Sequence, residues 1–452
     1  AYTVRTQDIE NVEIVKSSGE ELPNVVKYLA DISKEENIKV RKLWLDKIPA
    51  KIYIDSLKKK YQFVRKQFII NPIIGEYDDP SKQEQYALTI PLTESGNALI
   101  YGIAGSGKEQ FLNAILYSCI TSYAPEEVNM YILDFGAETL KMYDGSPYVG
   151  DVVLVNDQDK VVNLFKMINK EMIKRKNLFA NFGGSYQSYI KNSKDYLPNL
   201  LVMINNFESF SENYEEQIEN LNQISRESFK YGIYFILTAG NTGSVRLKTR
   251  QNFALTYVLE QNDEMDFSSL LGNCHGKEPA KLKGRGLFKK DGIYEFQTAS
   301  IVDEEKKDLS EYIKEINDYQ RSKVSYRSSK IPVLPEIVDF DYVKTEQDNS
   351  CNVIVGVNKN QLNIEKYNIY KSNINLVCCY ELEKALPFVK AFATECSNVL
   401  NSDFLFLSSL ENDFSNMSFK NYIYQKHFDV IFDKISIFIE QAYNEYVDSE
   451  YN

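Results

Sequence analysis

Seven residues constrain this chain more than any other stretch. Gly102-Ile103-Ala104-Gly105-Ser106-Gly107-Lys108 follows a short apolar run, Ala98-Leu99-Ile100-Tyr101. It precedes a segment with Phe111, Leu112, Ile115, Leu116 and Cys119 at helical spacing. Gly-x4-Gly-Lys between a buried strand and a helix is the phosphate-loop pattern. Its glycines let successive backbone N–H groups point inward, the helix start adds partial positive charge, and Lys108 neutralises phosphate oxygens. The pattern predicts a nucleotide loop of Gly102, Gly105, Ser106, Gly107, Lys108 and Glu109, with ATP as its ligand. The competing reading is a glycine-rich turn that keeps the fold and binds nothing.

Two departures weaken the chemistry. The pattern asks for Ser or Thr after the lysine, because that hydroxyl binds Mg²⁺, and here the residue is Glu109. A carboxylate about 5 Å from a phosphate charge is repelled by roughly 3 kcal/mol at an effective dielectric near 20. Direct coordination of Mg²⁺ by that carboxylate would offset part of the loss. The second departure follows the apolar run Leu200-Leu201-Val202-Met203-Ile204, where an acidic pair should hold Mg²⁺ and activate water. The pair is Asn205-Asn206, two amides that take no proton. Glu208 lies two residues further on and acts only if the chain bends. ATP is therefore expected to bind weakly, Mg²⁺ lacks its usual seat, and no metal site or catalytic residue is assigned.

From about residue 68 strands alternate with helices, the signature of a parallel sheet covered on both faces. Expected strands are Ala98–Tyr101, Met130–Leu133, Val152–Val155, Leu200–Ile204, Tyr234–Leu237, Ala254–Leu259 and Ile293–Phe296, with helices over about 160–179 and 215–229. The fold expected is α/β, with tandem RecA-like P-loop NTPase modules of which the second is degenerate or truncated. Residues 1–60 read as a connector: a helix near 20–33, then extended pieces ending in a charged turn, Lys58-Lys59-Lys60, on a solvated face. Residues 61–303 form the first module, 304–330 a charged, Ser-rich linker, and 331–452 the second module. The second copy shows by self-similarity. Pro72-Ile73-Ile74-Gly75 has a counterpart in Val353-Ile354-Val355-Gly356, Ala98–Tyr101 in Asn375–Cys378, and Phe111 in Phe388. Its glycine loop is replaced by Cys379-Tyr380-Glu381-Leu382-Glu383-Lys384. After one more strand, Phe404–Leu407, and a helix, the chain ends on what would be a bare apolar sheet edge. The expectation is a piece of a longer protein or a shortened C-terminus.

Composition narrows the function classes. Across 452 residues, 52 Lys and Arg against 64 Asp and Glu leave a net charge of −12, which argues against a broad nucleic-acid surface. The longest apolar runs fall far short of the roughly 18 residues of a membrane span, and the first residues carry no signal-peptide pattern, so this portion reads as soluble. Six cysteines without a CxxC pair, and only two histidines, His275 and His427, assemble no metal site or His-based catalysis. The 32 Tyr and 25 Phe read as core and interface material.

Several motifs together resemble the FtsK/SpoIIIE-type ATPases, and among them the membrane-bound coupling ATPases of type VIIb secretion. They are Lys42-Leu43-Trp44-Leu45, the glycine loop, Leu133-Asp134-Phe135-Gly136, Gly150-Asp151-Val152-Val153, Ile204-Asn205-Asn206-Phe207-Glu208 and Gly284-Arg285-Gly286-Leu287. The resemblance covers essentially the whole chain. It implies the second module and the start of the third, on the cytoplasmic side of the cell membrane, stacked with neighbouring modules in a hexameric machine. The implied substrates are small helical WXG100-like secreted proteins, and no nucleic acid. In the second copy Tyr422, Tyr424, Phe428 and Phe432 would suit a helical partner, with core packing the default reading for most of those rings. The family's acidic positions fall on Asn205 and Asn206. The Asp-Ser-Arg stretch of related DNA translocases reads Asp266-Phe267-Ser268-Ser269, without the arginine. Arg246 and Arg250 are the cations left to reach a neighbour's phosphates, against a plain surface role. The function expected is substrate engagement with weak or absent ATP hydrolysis. The alternatives are an active ATP-driven secretion motor and a DNA translocase.

Overall fold

The computed structural model describes residues 21–38, 45–193, 195–335, 338, 352–359, 362–368, 380, 382–399, 404–407, 422–425 and 428–450. The chain divides into two compact units, 1–155 with 172–328 and 156–171 with 329–452.

The first unit is built on a 10-stranded sheet in the order β2-β1-β10-β9-β8-β3-β7-β6-β4-β5. Its strands are β1 (Ile73–Asp79), β2 (Glu84–Thr89), β3 (Ala98–Tyr101), β4 (Val128–Asp134), β5 (Val149–Leu154), β6 (Asn199–Asn205), β7 (Ile233–Ala239), β8 (Leu255–Leu259), β9 (Arg285–Lys289) and β10 (Ile293–Thr298). β8, β3, β7, β6, β4 and β5 run parallel, as their near-continuous apolar runs predict. β9, β10, β1 and β2 extend the sheet by antiparallel pairing, an extension that the expected strand at Ile293–Phe296 signalled only in part. Here the aromatic wealth is used: Phe111 on the helix Lys108–Ser122 meets Tyr257 at 5.1 Å and Phe296 at 6.0 Å, and Phe288 meets Tyr77 at 5.1 Å.

Two sequence expectations give way. Residues 45–60 are not an extended connector. Ile54–Lys60 is a helix, Ile48, Ile52, Ile54 and Leu57 join the main core, and Ser300 N donates to Ile52 O at 2.8 Å. The Lys58–Lys60 triplet lies in that helix's last turn, where cations suit the dipole. Lys60 pairs with buried Glu76, and Lys58 donates to Thr121 Oγ1 at 2.6 Å. The expected linker likewise contains a packed helix, Leu309–Lys323, because Leu309, Tyr312, Ile313 and Ile316 share one face. Ile313 is buried in the core, Arg321 Nε donates to Gly145 O at 2.6 Å, and Ser328 N donates to Pro147 O at 2.9 Å.

The second unit contains an antiparallel hairpin of β11 (Asn352–Val357) and β12 (Ile364–Asn368), a helix Leu382–Val399 against β11, and a final helix Phe428–Glu450. β13 (Phe404–Leu407) pairs in parallel with β14 (Tyr422–Gln425), a strand the sequence reading lacked. The β11–β12 register shifts between Ile354 and Gly356, as β1–β2 shifts between Ile73 and Gly75. Hairpin, helix on the hairpin, parallel pair: β3 aside, this order repeats β1–β2, Lys108–Ser122 and β4–β5 of the first unit. Lys42-Leu43-Trp44, the strand at Asn375–Cys378, and Cys379 and Glu381 of the replaced loop lie outside the described residues. Phe432 is exposed; the side chains of Tyr422, Tyr424 and Phe428 are not among those described.

Candidate nucleotide site

The loop after β3 is laced to the ends of both neighbouring strands. Gly102 N donates to Ala239 O, the last residue of β7, and Ile103 N donates to Glu260 O, just beyond β8, each at 3.0 Å. Gly107 caps the helix Lys108–Ser122 with φ +106°, and a Cβ there would lie 2.5 Å from Gly284 N. That close approach is a second lacing, since Gly284 N donates to Ser106 O at 2.8 Å. Gly102 is equally constrained: a Cβ would sit 2.3 Å from Ser106 Oγ. The Gly284-Arg285-Gly286 motif thus braces the loop. Its arginine is structural: buried Arg285 donates to Gln297 Oε1 at 2.8 Å and to Ile48 O at 2.6 Å.

Beside the loop lies a cavity of about 470 Å³. It is lined by Gly105, Gly107, Lys108 and Glu109 of the loop, by Asn205, Asn206 and Glu208, by Gly240 and by Lys283. The structure therefore brings together the sequence-predicted loop and the degenerate acidic-pair positions, and Ser106 sits buried beneath them. Lys108 Nζ is turned onto its own loop, donating to Gly102 O and to Ile103 O, the latter at 2.9 Å. Burial lowers the Lys108 pKa, and the charges of Glu208 and then Glu109 oppose that shift. Tyr101, ahead of the loop, is buried, which pushes its hydroxyl up to about 12. Arg250 lies within electrostatic reach of that ring, while Arg246 is exposed at the start of the short helix Leu247–Arg250.

The two asparagines have separate duties. Asn205 ends β6, buried, in register with Asp134 at the end of β4. Its Nδ2 donates to Asp134 Oδ1 at 2.9 Å, and its Oδ1 accepts from Thr238 Oγ1 at 2.8 Å. Asp134 also accepts from Leu140 N at 2.9 Å and from Gly136 N at 3.3 Å, so its charge is spent on backbone and amide donors. Asn206 adopts φ +66°, ψ +75°, which asparagine tolerates better than most residues. It caps the helix Phe207–Asn213 that begins at once. The sequence reading missed Asp134 as Asn205's partner; the bend on which it made Glu208 depend is present at Asn206 and carries Glu208 into the cavity wall. Among the described residues, no three His, Cys, Asp or Glu side chains are placed to hold a metal ion, and no helix is long and apolar enough to cross a membrane.

A parallel core in the order β8-β3-β7-β6-β4, with a glycine loop and lysine after its second strand, is the architecture of a RecA-like P-loop NTPase module. Residues 67–296 match the sequence model of the FtsK/SpoIIIE family, and the chain belongs to that family. It is similar to the type VII secretion system protein EssC of Staphylococcus aureus (strain MRSA252), 24% identical over 347 residues, 74% of this chain and 23% of that protein. The ESX secretion system protein YukB of Bacillus subtilis (strain 168) is 28% identical over 327 residues, 70% of this chain and 21% of that protein. The chain thus spans less than a quarter of the length of either relative. Among solved structures, EssC (ATPases 2 and 3) from Geobacillus thermodenitrificans shares the fold with a TM-score of 0.78 at 22% identity, covering 89% of this chain and 78% of that one. Thermomonospora curvata EccC (ATPases 2 and 3), in complex with a signal sequence peptide, follows with a TM-score of 0.63 at 18% identity, covering 80% of this chain and 68% of that one.

Proposed function

We propose that this chain is the substrate-engaging, ATPase-like part of a type VII secretion coupling protein, with weak or absent ATP hydrolysis. Its partners are small helical secreted proteins of the WXG100-like kind and neighbouring ATPase modules in a homo-oligomer, a hexamer in the whole machine. It works on the cytoplasmic side of a membrane-anchored protein. The observation that carries the reading is the contrast within one cavity. The loop and Lys108 keep the phosphate-loop pattern at the cavity, whereas Asn205 and Asn206 are bonded into the scaffold as amides. A site of that composition suits nucleotide binding better than turnover. The similarity to EssC and EccC modules, one of them in complex with a signal sequence peptide, supports the partner assignment. The net charge of −12 disfavours a DNA translocase.

Calorimetric titration with Mg-ATP, with Lys108→Ala as the control, tests the nucleotide half. Binding that the substitution abolishes, with turnover below the ~1 s⁻¹ lower end of ordinary enzymes, is the expected result. Turnover at or above that rate would favour the active-motor alternative. A titration with a WXG100-like protein tests the substrate half, and absence of binding up to millimolar protein would remove it.

A further inference from the structure

We infer that Glu208 is the catalytic carboxylate of this pocket, taking over the task that the family places on the acidic pair and that Asn205 and Asn206 have lost. The inference rests on reading the cavity as a nucleotide site and names the residue through which its slow hydrolysis runs.

The argument is geometric. An acid at position 206 would follow directly from the end of β6. Instead Asn206 takes a left-handed conformation that three hydrogen bonds hold. Its N donates to Thr238 Oγ1 at 2.9 Å, its Nδ2 to Phe135 O at 3.0 Å, and its Oδ1 accepts from Ser209 N at 3.4 Å. This bend swings the chain sideways across the sheet. Glu208 Oε1 then accepts from Gly240 N at 2.5 Å, just beyond β7. β7 is the strand beside β3, and Gly102 is already bonded to Ala239 O next to that contact. Gly240 is shaped for the arrangement, since a Cβ there would lie 2.9 Å from Glu208 Oε1. The carboxylate therefore stands one strand across from the phosphate loop, in the wall of the same cavity as Lys108.

A loop lysine of this pattern reaches the β- and γ-phosphates, so a carboxylate sharing its cavity is placed to meet a water beside the γ-phosphate. Of the two carboxylates acting on Lys108, Glu208 acts more strongly than Glu109. Oε1 is anchored by Gly240, which fixes the group's orientation and leaves Oε2 for the water. In the step proposed, the water oxygen bonds to the γ-phosphorus while its proton passes to Glu208 Oε2. The bond from that phosphorus to the bridging oxygen breaks, its electron pair stays on ADP, and Lys108 balances the charge. The proton then leaves to solvent with the inorganic phosphate.

The test uses the full chain in excess over labelled ATP, reading the single-turnover rate, beside equilibrium binding of a non-hydrolysable ATP analogue. Glu208→Gln keeps size and shape, so analogue affinity should stay within about threefold while the rate falls about 100-fold, the usual worth of a general base. Gly240→Ala, which displaces the carboxylate without touching it chemically, should slow the rate about 10-fold or more with affinity unchanged. An unchanged rate with tighter analogue binding in Glu208→Gln overturns the inference, because the carboxylate would then be only a counter-ion to Lys108. A wild-type rate equal to that of Lys108→Ala, with the analogue still bound, also overturns it and leaves the nucleotide-site reading standing. Failure of the wild type to bind the analogue overturns both.

Discussion

Restoring the lost acid at position 205 should harm this protein. Asn205→Asp looks like a repair of the motif, but the neighbour that matters is Asp134, whose Oδ1 lies 2.9 Å from Asn205 Nδ2 in a buried register pair. Two carboxylates at that separation repel by about 6 kcal/mol at an effective dielectric near 20. The chain avoids part of this by keeping a proton on the pair. Holding a carboxyl of ordinary pKa near 3.9 neutral at pH 7 costs about 4 kcal/mol, which caps the penalty. The sign follows from linkage: the new carboxyl titrates higher in the folded than in the unfolded chain, so the unfolded state gains as pH rises above about 4. The deficit should therefore be about 1.5 kcal/mol at pH 5 and grow by nearly 1.4 kcal/mol per unit to about 4 at pH 7. Denaturant unfolding of wild type and variant at pH 5, 6 and 7, with EDTA present so that no cation bridges the pair, measures it. A loss under 1 kcal/mol at pH 7, or a loss independent of pH, would refute the reasoning.

Two further outcomes follow from the packing. Ile313→Ala should cost about 2–4 kcal/mol of first-unit stability by thermal or denaturant unfolding, as a buried core residue does; a residue in a free linker would cost under about 0.5 kcal/mol. Burial pushes the Cys119 thiol up to about 12, so at pH 8.5 it should resist alkylation in the folded protein and react on unfolding, as peptide mass spectrometry would report. Because the unfolded thiol ionises near 8.5, the same burial should cost stability progressively as pH rises above that value.

Where the sequence was legible, the signal was local. Leu200–Ile204 and Tyr234–Leu237 read as buried strands because each is a short apolar run, and both are. The loop was legible for the same reason, being a contiguous pattern in a strand-to-helix context. What was not legible was whether a stretch packs against the module. Ile48, Ile52 and Ile54 read as short extended pieces of a connector ending in a charged turn, and the face of Leu309–Lys323 was diluted by its charges. Their place in the core follows from long-range bonds such as Ser300 to Ile52 and Arg321 to Gly145, which no local periodicity encodes.

The wiring of the site was hidden by the same kind of non-locality. Counting along β6, the acids are simply missing, and a pocket without them has lost its chemistry. Across the sheet the picture differs, because parallel register sets Asp134 of β4 beside Asn205, 71 residues later in sequence. Asn205 is thus the neutral donor that a buried carboxylate needs, and an aspartate in its place would be a second anion without a partner. The bend at Asn206 has a comparable logic. An extended residue there would continue β6, whereas a left-handed one turns the chain toward β7 and brings Glu208 to Gly240. Asp134 is committed to Leu140, Gly136 and Asn205 and lies fully buried. Of the two acids near the end of the Asn205 strand, Glu208 is therefore the one that lines the loop cavity, and the one on which the hydrolysis proposed above depends.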